Sequence, residues 1–137
     1  MFSRDIYSLV CNNDFISALL LLDKDDLCIA TSYNKAYCFY KTNSFVECMN
    51  EIKKVVNKIN DKLDLKSYEL DKKTLELISN LVSPMPLHCE VVECNALYAS
   101  IHIKWLYALC LEKCNITDKA NLIKEQLKKY NINFGGK

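Results

Sequence analysis

Residues 29–60 read IATSYNKAYCFYKTNSFVECMNEIKKVVNKIN, and the fold turns on how this stretch is parsed. Its second half sets Val46, Met49, Ile52, Val56 and Ile59 three or four residues apart, with Lys53, Lys54 and Lys58 facing elsewhere. That spacing is an apolar stripe on an α-helix with a solvated opposite side. The predicted helix runs over about residues 45–63. The first half, from residue 27 to 40, is rich in small and aromatic residues and reads as another helix. Thr42-Asn43-Ser44 between them is a polar turn able to cap the helix that Phe45 opens.

The same grammar extends in both directions. Towards the N-terminus, Ile6, Leu9 and Val10 share a face in a helix over residues 2–10. Asn12-Asn13-Asp14 breaks it, and a short apolar helix follows over 15–22, closed by a polar turn at 23–26. Towards the C-terminus, residues 61–70 read as a loop and 72–82 as a helix stopped by Ser83-Pro84-Met85-Pro86. Residues 87–114 form a long apolar run that is either one helix or two joined at Asn95. Asn115-Ile116-Thr117-Asp118 caps an amphipathic helix over 119–130, and 131–137 is a tail.

Composition supports an all-α fold. Glycine and proline number two each, confined to Pro84, Pro86, Gly135 and Gly136, whereas sheets scatter turn glycines along a chain. The 137 residues, half of them apolar, suffice for one domain over 1–130, with the tail at 131–137 flexible and extended. A net charge of +1 with interspersed signs argues against a generally basic coat but leaves room for a local basic patch. The 17 lysines against the single Arg4, with many Asn, Ile and Tyr, point to an AT-rich genome. Residues 1–11 carry no basic stretch leading into an apolar one, and no apolar run has the length of a membrane span. The expectation is a cytoplasmic protein whose eight cysteines are reduced.

Internal similarity is visible in Phe15-Ile16-Ser17-Ala18 and Phe45-Val46-Glu47-Cys48, thirty residues apart, each an aromatic followed by a small residue after a polar turn. This arrangement resembles the tetratricopeptide repeat, a helix–turn–helix unit of about 34 residues. The likeness is best over residues 29–60, where Ala36 and Cys48 hold small positions, Phe39 and Phe45 aromatic ones, and Ile52 and Val55 follow. Ser32, Lys35 and Asn60 depart from the family's Trp, Leu and Pro. Weaker copies run through Leu9, Phe15, Ala18 and Leu22, and through Trp105, Ala108, Leu111 and Ala120. The resemblance covers about two-thirds of the chain and implies stacked antiparallel hairpins; an unrelated helical bundle is the alternative.

No residue set suggests catalysis. Cys110 and Cys114 lie one helical turn apart, with Cys89, Cys94, His88 and His102 nearby, but no C-x₂-C pair exists and core packing is the expectation for the cysteines, Cys11, Cys28, Cys38 and Cys48 included. No glycine turn presents a nucleophile or cradles a phosphate, and Asp25-Asp26 reads as a solvated turn. Trp105, Tyr98 and Tyr107 form either a binding platform or core, and core is the expectation. Neither a metal nor a cofactor is expected.

Binding is the remaining class. Lys124, Lys128 and Lys129 on the last helix adjoin a tail ending Phe134-Gly135-Gly136-Lys137, in which Phe134 can stack, the glycines allow close approach and Lys137 can meet a phosphate. Lys53, Lys54 and Lys58 form a secondary basic face. In overall character and tail the chain resembles the small dormancy (hibernation) factors of microsporidian ribosomes. That resemblance implies a ribosome-bound inhibitor of translation, touching ribosomal proteins and rRNA and sterically blocking the tRNA exit region. The alternative is a protein–protein adaptor, either a co-chaperone or an assembly subunit; Lys35-Ala36-Tyr37-Cys38 is similar to a motif in the large protein subunit of the signal recognition particle. No membrane contact and no small-molecule substrate is expected.

Overall fold

The computed structural model describes residues 2–22, 28–64, 72–130 and 132. These are all-helical, with no strand among them: α1 (Phe2–Cys11), α2 (Phe15–Leu22), α3 (Ile29–Lys41), α4 (Phe45–Asp64), α5 (Lys72–Ser79), α6 (Cys89–Cys94), α7 (Ala96–Lys113) and α8 (Thr117–Leu127). A single 3₁₀ turn, Lys128–Tyr130, closes α8.

Three of the connections are the same turn. Asn13, Asn43 and Asn115 all adopt left-handed backbone, with φ of 63°, 65° and 66°. In each case the next amide reaches back five residues: Asp14 N–H to the Leu9 carbonyl (2.9 Å), Ser44 to Phe39 (2.8 Å) and Ile116 to Leu111 (2.8 Å). The Asn amide itself bonds three residues back, to Val10, Tyr40 and Glu112. This double closure satisfies orphan carbonyls at a helix end and usually employs glycine. Asparagine substitutes because, among residues with a side chain, it tolerates the left-handed region well. Each turn is followed by a helix whose fourth residue is small and fully buried: Ala18, Cys48 and Ala120. Hairpins α1–α2, α3–α4 and α7–α8 therefore share one construction, and α2 packs on α3 while α4 packs on α7.

Predicted boundaries move in informative places. Helix α4 continues through Asp64, so the first four residues of the expected 61–70 loop are helical; residues 65–70 lie outside the described set. Helix α5 stops at Ser79 instead of reaching Val82. Pro84 and Pro86 disfavour helical backbone before them, and residues 81–87 run on without helix, pinned across α3 and α7. The segment 87–114 is two helices. Asn95, at φ −146° and ψ 75°, ends α6 and caps α7 by accepting from the Tyr98 amide at 3.1 Å. Ile132 is also buried, so packing continues two residues past the last helical turn, into the expected tail.

The core sits around α3 and α7. Helix α7 is buried on nearly every side, with Ile101, Ile103, Trp105, Leu106 and Leu111 inaccessible. Fully burying each such aliphatic side chain contributes roughly 1.5–3 kcal/mol. Ala36, Ala108 and Ala120 are 0 % exposed and let helix axes approach closely. The 81–87 strap brings polar backbone into this interior, where its groups need partners. Asn34 supplies two, donating to the Leu87 carbonyl (2.7 Å) and accepting from the Leu87 amide (2.9 Å). Tyr33 Oη donates to the Met85 carbonyl (2.8 Å), and the Met85 amide donates to His102 Nδ1 (3.1 Å).

Candidate functional site

Helix α4 repeats polar residues at Lys53, Asn57 and Asn60, four and then three residues apart, which places them on one face. Helix α8 turns Lys119, Ile123 and Gln126 to one face at the same spacing, two polar residues flanking an apolar one. Both helices pack on α7, and the space between them is a groove of about 560 Å³ whose floor carries Lys104 and Tyr107. A second hollow of about 420 Å³ continues between α7 and the end of α8, lined by Ser100, Lys129 and Tyr130 among others. Lys104 and Gln126 line both hollows, so the two form one trough. Four lysines and three side-chain amides line it, and among its described lining residues there is no carboxylate.

The lysines there differ in how the fold treats their charge. Lys104 is a lone cation within an apolar run and is half-buried; desolvation, followed by the charge of Lys129, lowers its pKa from the ordinary lysine value. Lys119 is the third residue of α8, where the positive end of the helix dipole disfavours a cation. Its ammonium rests over the Tyr107 ring at 5.4 Å, and that of Lys129 lies 5.2 Å from the Tyr130 ring.

The basic residues expected from sequence are divided by the fold. Lys53 and Lys129 line the trough. Lys54 leans on Glu51 at 3.8 Å, Lys128 pairs with Glu125 at 2.7 Å, and Lys124 pairs with Glu112 on α7. Lys58 is exposed and lies outside the trough lining. Phe134, Gly135, Gly136 and Lys137 fall outside the described residues. Sequence reading missed Lys104 and Lys119, although each carried a signal: one charge interrupts an apolar run, and the other stands at a helix start.

Other candidates resolve as packing. Trp105 and Tyr107 are buried, so no open platform forms from them, while Tyr98 is partly exposed. His102 is buried with Nε2 lacking a partner, and burial pushes its pKa down to about 4. Cys38, Cys48 and Cys110 are core residues, with the Cys38 thiol pushed up to about 12 by burial. Cys48 and Cys110 meet where α4 packs on α7, and Cys110 also donates to the Phe45 carbonyl at 3.1 Å. Cys11, Cys28 and Cys94 correct the sequence reading: all three are exposed, at the end of α1, just before α3 and at the end of α6, where helical spacing no longer fixes a buried face. Among the described residues no three His, Cys, Asp or Glu side chains converge as metal ligands, and no helix is long and apolar enough to cross a membrane.

An apolar hollow of about 400 Å³ lies on another side, lined by Leu77, Val91 and Tyr98 with Glu90 at its edge. No protein-family model, curated protein or solved structure matches this chain.

Proposed function

We propose that this protein is a non-enzymatic binding factor that docks on the ribosome in the cytoplasm and keeps it dormant by occupying the tRNA exit region. The observation that carries the reading is the construction of the molecule: three hairpins with one shared turn, placed side by side. We read them as a short tetratricopeptide-like array. Arrays of this kind bind through extended surfaces and bring no chemistry of their own. The helical body rests on ribosomal proteins and rRNA, and residues 133–137 fill space that a deacylated tRNA requires.

Co-sedimentation with ribosomes tests this. The full chain should pellet stoichiometrically and be released as salt rises. Removal of residues 133–137 should weaken pelleting while leaving the thermal midpoint unchanged; the cut is placed after Ile132 because that residue is buried. Failure to pellet at any salt concentration discards the ribosome. A protein–protein adaptor is the second reading, favoured by exposed Leu77 beside the apolar hollow between α5 and α6. In that case a co-purifying protein, not rRNA, should protect Leu77 from solvent.

A further inference from the structure

One of the four trough lysines stands where folding alone does not favour a positive charge: Lys104 is half-buried, close enough to Lys129 to feel its repulsion. Lys119 is held at the trough wall by its contact with the Tyr107 ring. Charged groups kept at electrostatic expense around a concavity mark binding sites more often than structural ones. No carboxylate among the described lining residues neutralises them. The acidic partners in this region are taken up outside the trough, in the Glu112–Lys124 and Glu125–Lys128 pairs. An anion entering the trough relieves the repulsion that the free protein carries.

We propose that the trough over α7, between α4 and α8, is a phosphate-binding site that receives the backbone of a single RNA strand. Lys53 and Lys119 hold one stretch of the strand, and Lys104 and Lys129 the next. The lysine ammonium is a compact point charge that meets phosphate oxygens without requiring a planar partner, and four of them along one trough match the repeated charge of a phosphate backbone. The amides of Asn57, Asn60 and Gln126 both donate and accept, which fits ribose hydroxyls and base edges beside the phosphates. The inference rests on the ribosome reading only for where the RNA resides in the cell.

The test uses the full chain and a fluorescein-labelled oligouridylate of about 12 nucleotides, followed by anisotropy from about 50 to 200 mM salt. Affinity should fall with salt at a log–log slope between about −2 and −3, since each neutralised phosphate of a single strand contributes about −0.7. Lys104→Gln and Lys119→Gln should each weaken binding about fivefold and bring the slope about 0.7 nearer zero. Lys104→Gln should also raise the thermal midpoint of the free protein, which a purely structural lysine would not do. Lys41→Gln, on α3 with its ammonium over Tyr37, should bind as the parent does. Equal effects of Lys41→Gln and Lys119→Gln overturn the site. Tighter binding of a deca-glutamate peptide than of the oligonucleotide overturns the phosphate assignment in favour of an acidic protein. Oligonucleotide binding without ribosome pelleting keeps the trough and rejects the ribosome; pelleting that survives both substitutions keeps the ribosome and rejects the trough.

Discussion

Asn34 meets Leu87 with both ends of its amide, and this places a polar side chain inside the core for a structural reason. Replacing it with alanine strands a buried N–H and a buried carbonyl, so Asn34→Ala should lower stability by about 2–4 kcal/mol, measured from the urea midpoint. His102 acts on the same strap. It accepts from Met85 through Nδ1, which requires the neutral ring, and burial lowers its pKa from 6.5 to about 4. The unfolded chain therefore binds this proton more readily than the folded one between those values. Stability is complete above about pH 6.5, declines as pH falls and levels off below about 4, a loss of about 3 kcal/mol. Thermal midpoints recorded from pH 7.5 to 4 should show that decline. His102→Leu should flatten it while lowering stability at pH 7, since the Met85 amide loses its acceptor.

At the scale of elements, the left-handed asparagines are the devices that repeat. A residue with a branched or bulky side chain resists φ near +65°, and glycine does not. Asn43→Ala should destabilise by about 1 kcal/mol, whereas Asn43→Gly should be close to neutral, both read as shifts in thermal midpoint. The helix pairs depend equally on the small residues that follow. Ala120→Leu should cost about 1–3 kcal/mol by forcing α8 away from α7, with near-native helicity by circular dichroism. Most elements were legible in sequence because they obey local rules: apolar periodicity, polar turns and proline stops. The early end of α5 has a cause beyond that local reach. Helix α5 ends early because the strap it leads into is captured by Tyr33, Asn34 and His102, residues 52, 53 and 17 positions from their backbone partners in the strap and invisible to any local window.

Across the whole molecule, burial and charge are decided together. Helix α7 is enclosed by its neighbours, yet it carries Lys104 to a surface where α4 and α8 stand apart. Of the basic residues singled out from sequence, the fold keeps Lys53 and Lys129 in the trough and pairs Lys54, Lys124 and Lys128 with glutamates. Binding to ribosomes should accordingly respond more to Lys104→Gln than to Lys128→Gln, a ranking that pelleting at one fixed salt concentration can establish.

Sequence by itself determined the helical class, the three polar turns and most of each apolar face, because each follows from contacts within a few residues of chain; Val46, read into the α4 stripe, is instead 65 % exposed, and the buried face runs through Cys48, Met49, Ile52, Val55 and Ile59. Tertiary structure alone decided which lysines converge, where the long apolar run divides the core from the trough, and that Asn34 and His102 serve the strap. Those outcomes depend on how helices far apart in sequence are juxtaposed, and a charge has no address until its neighbours in space are fixed.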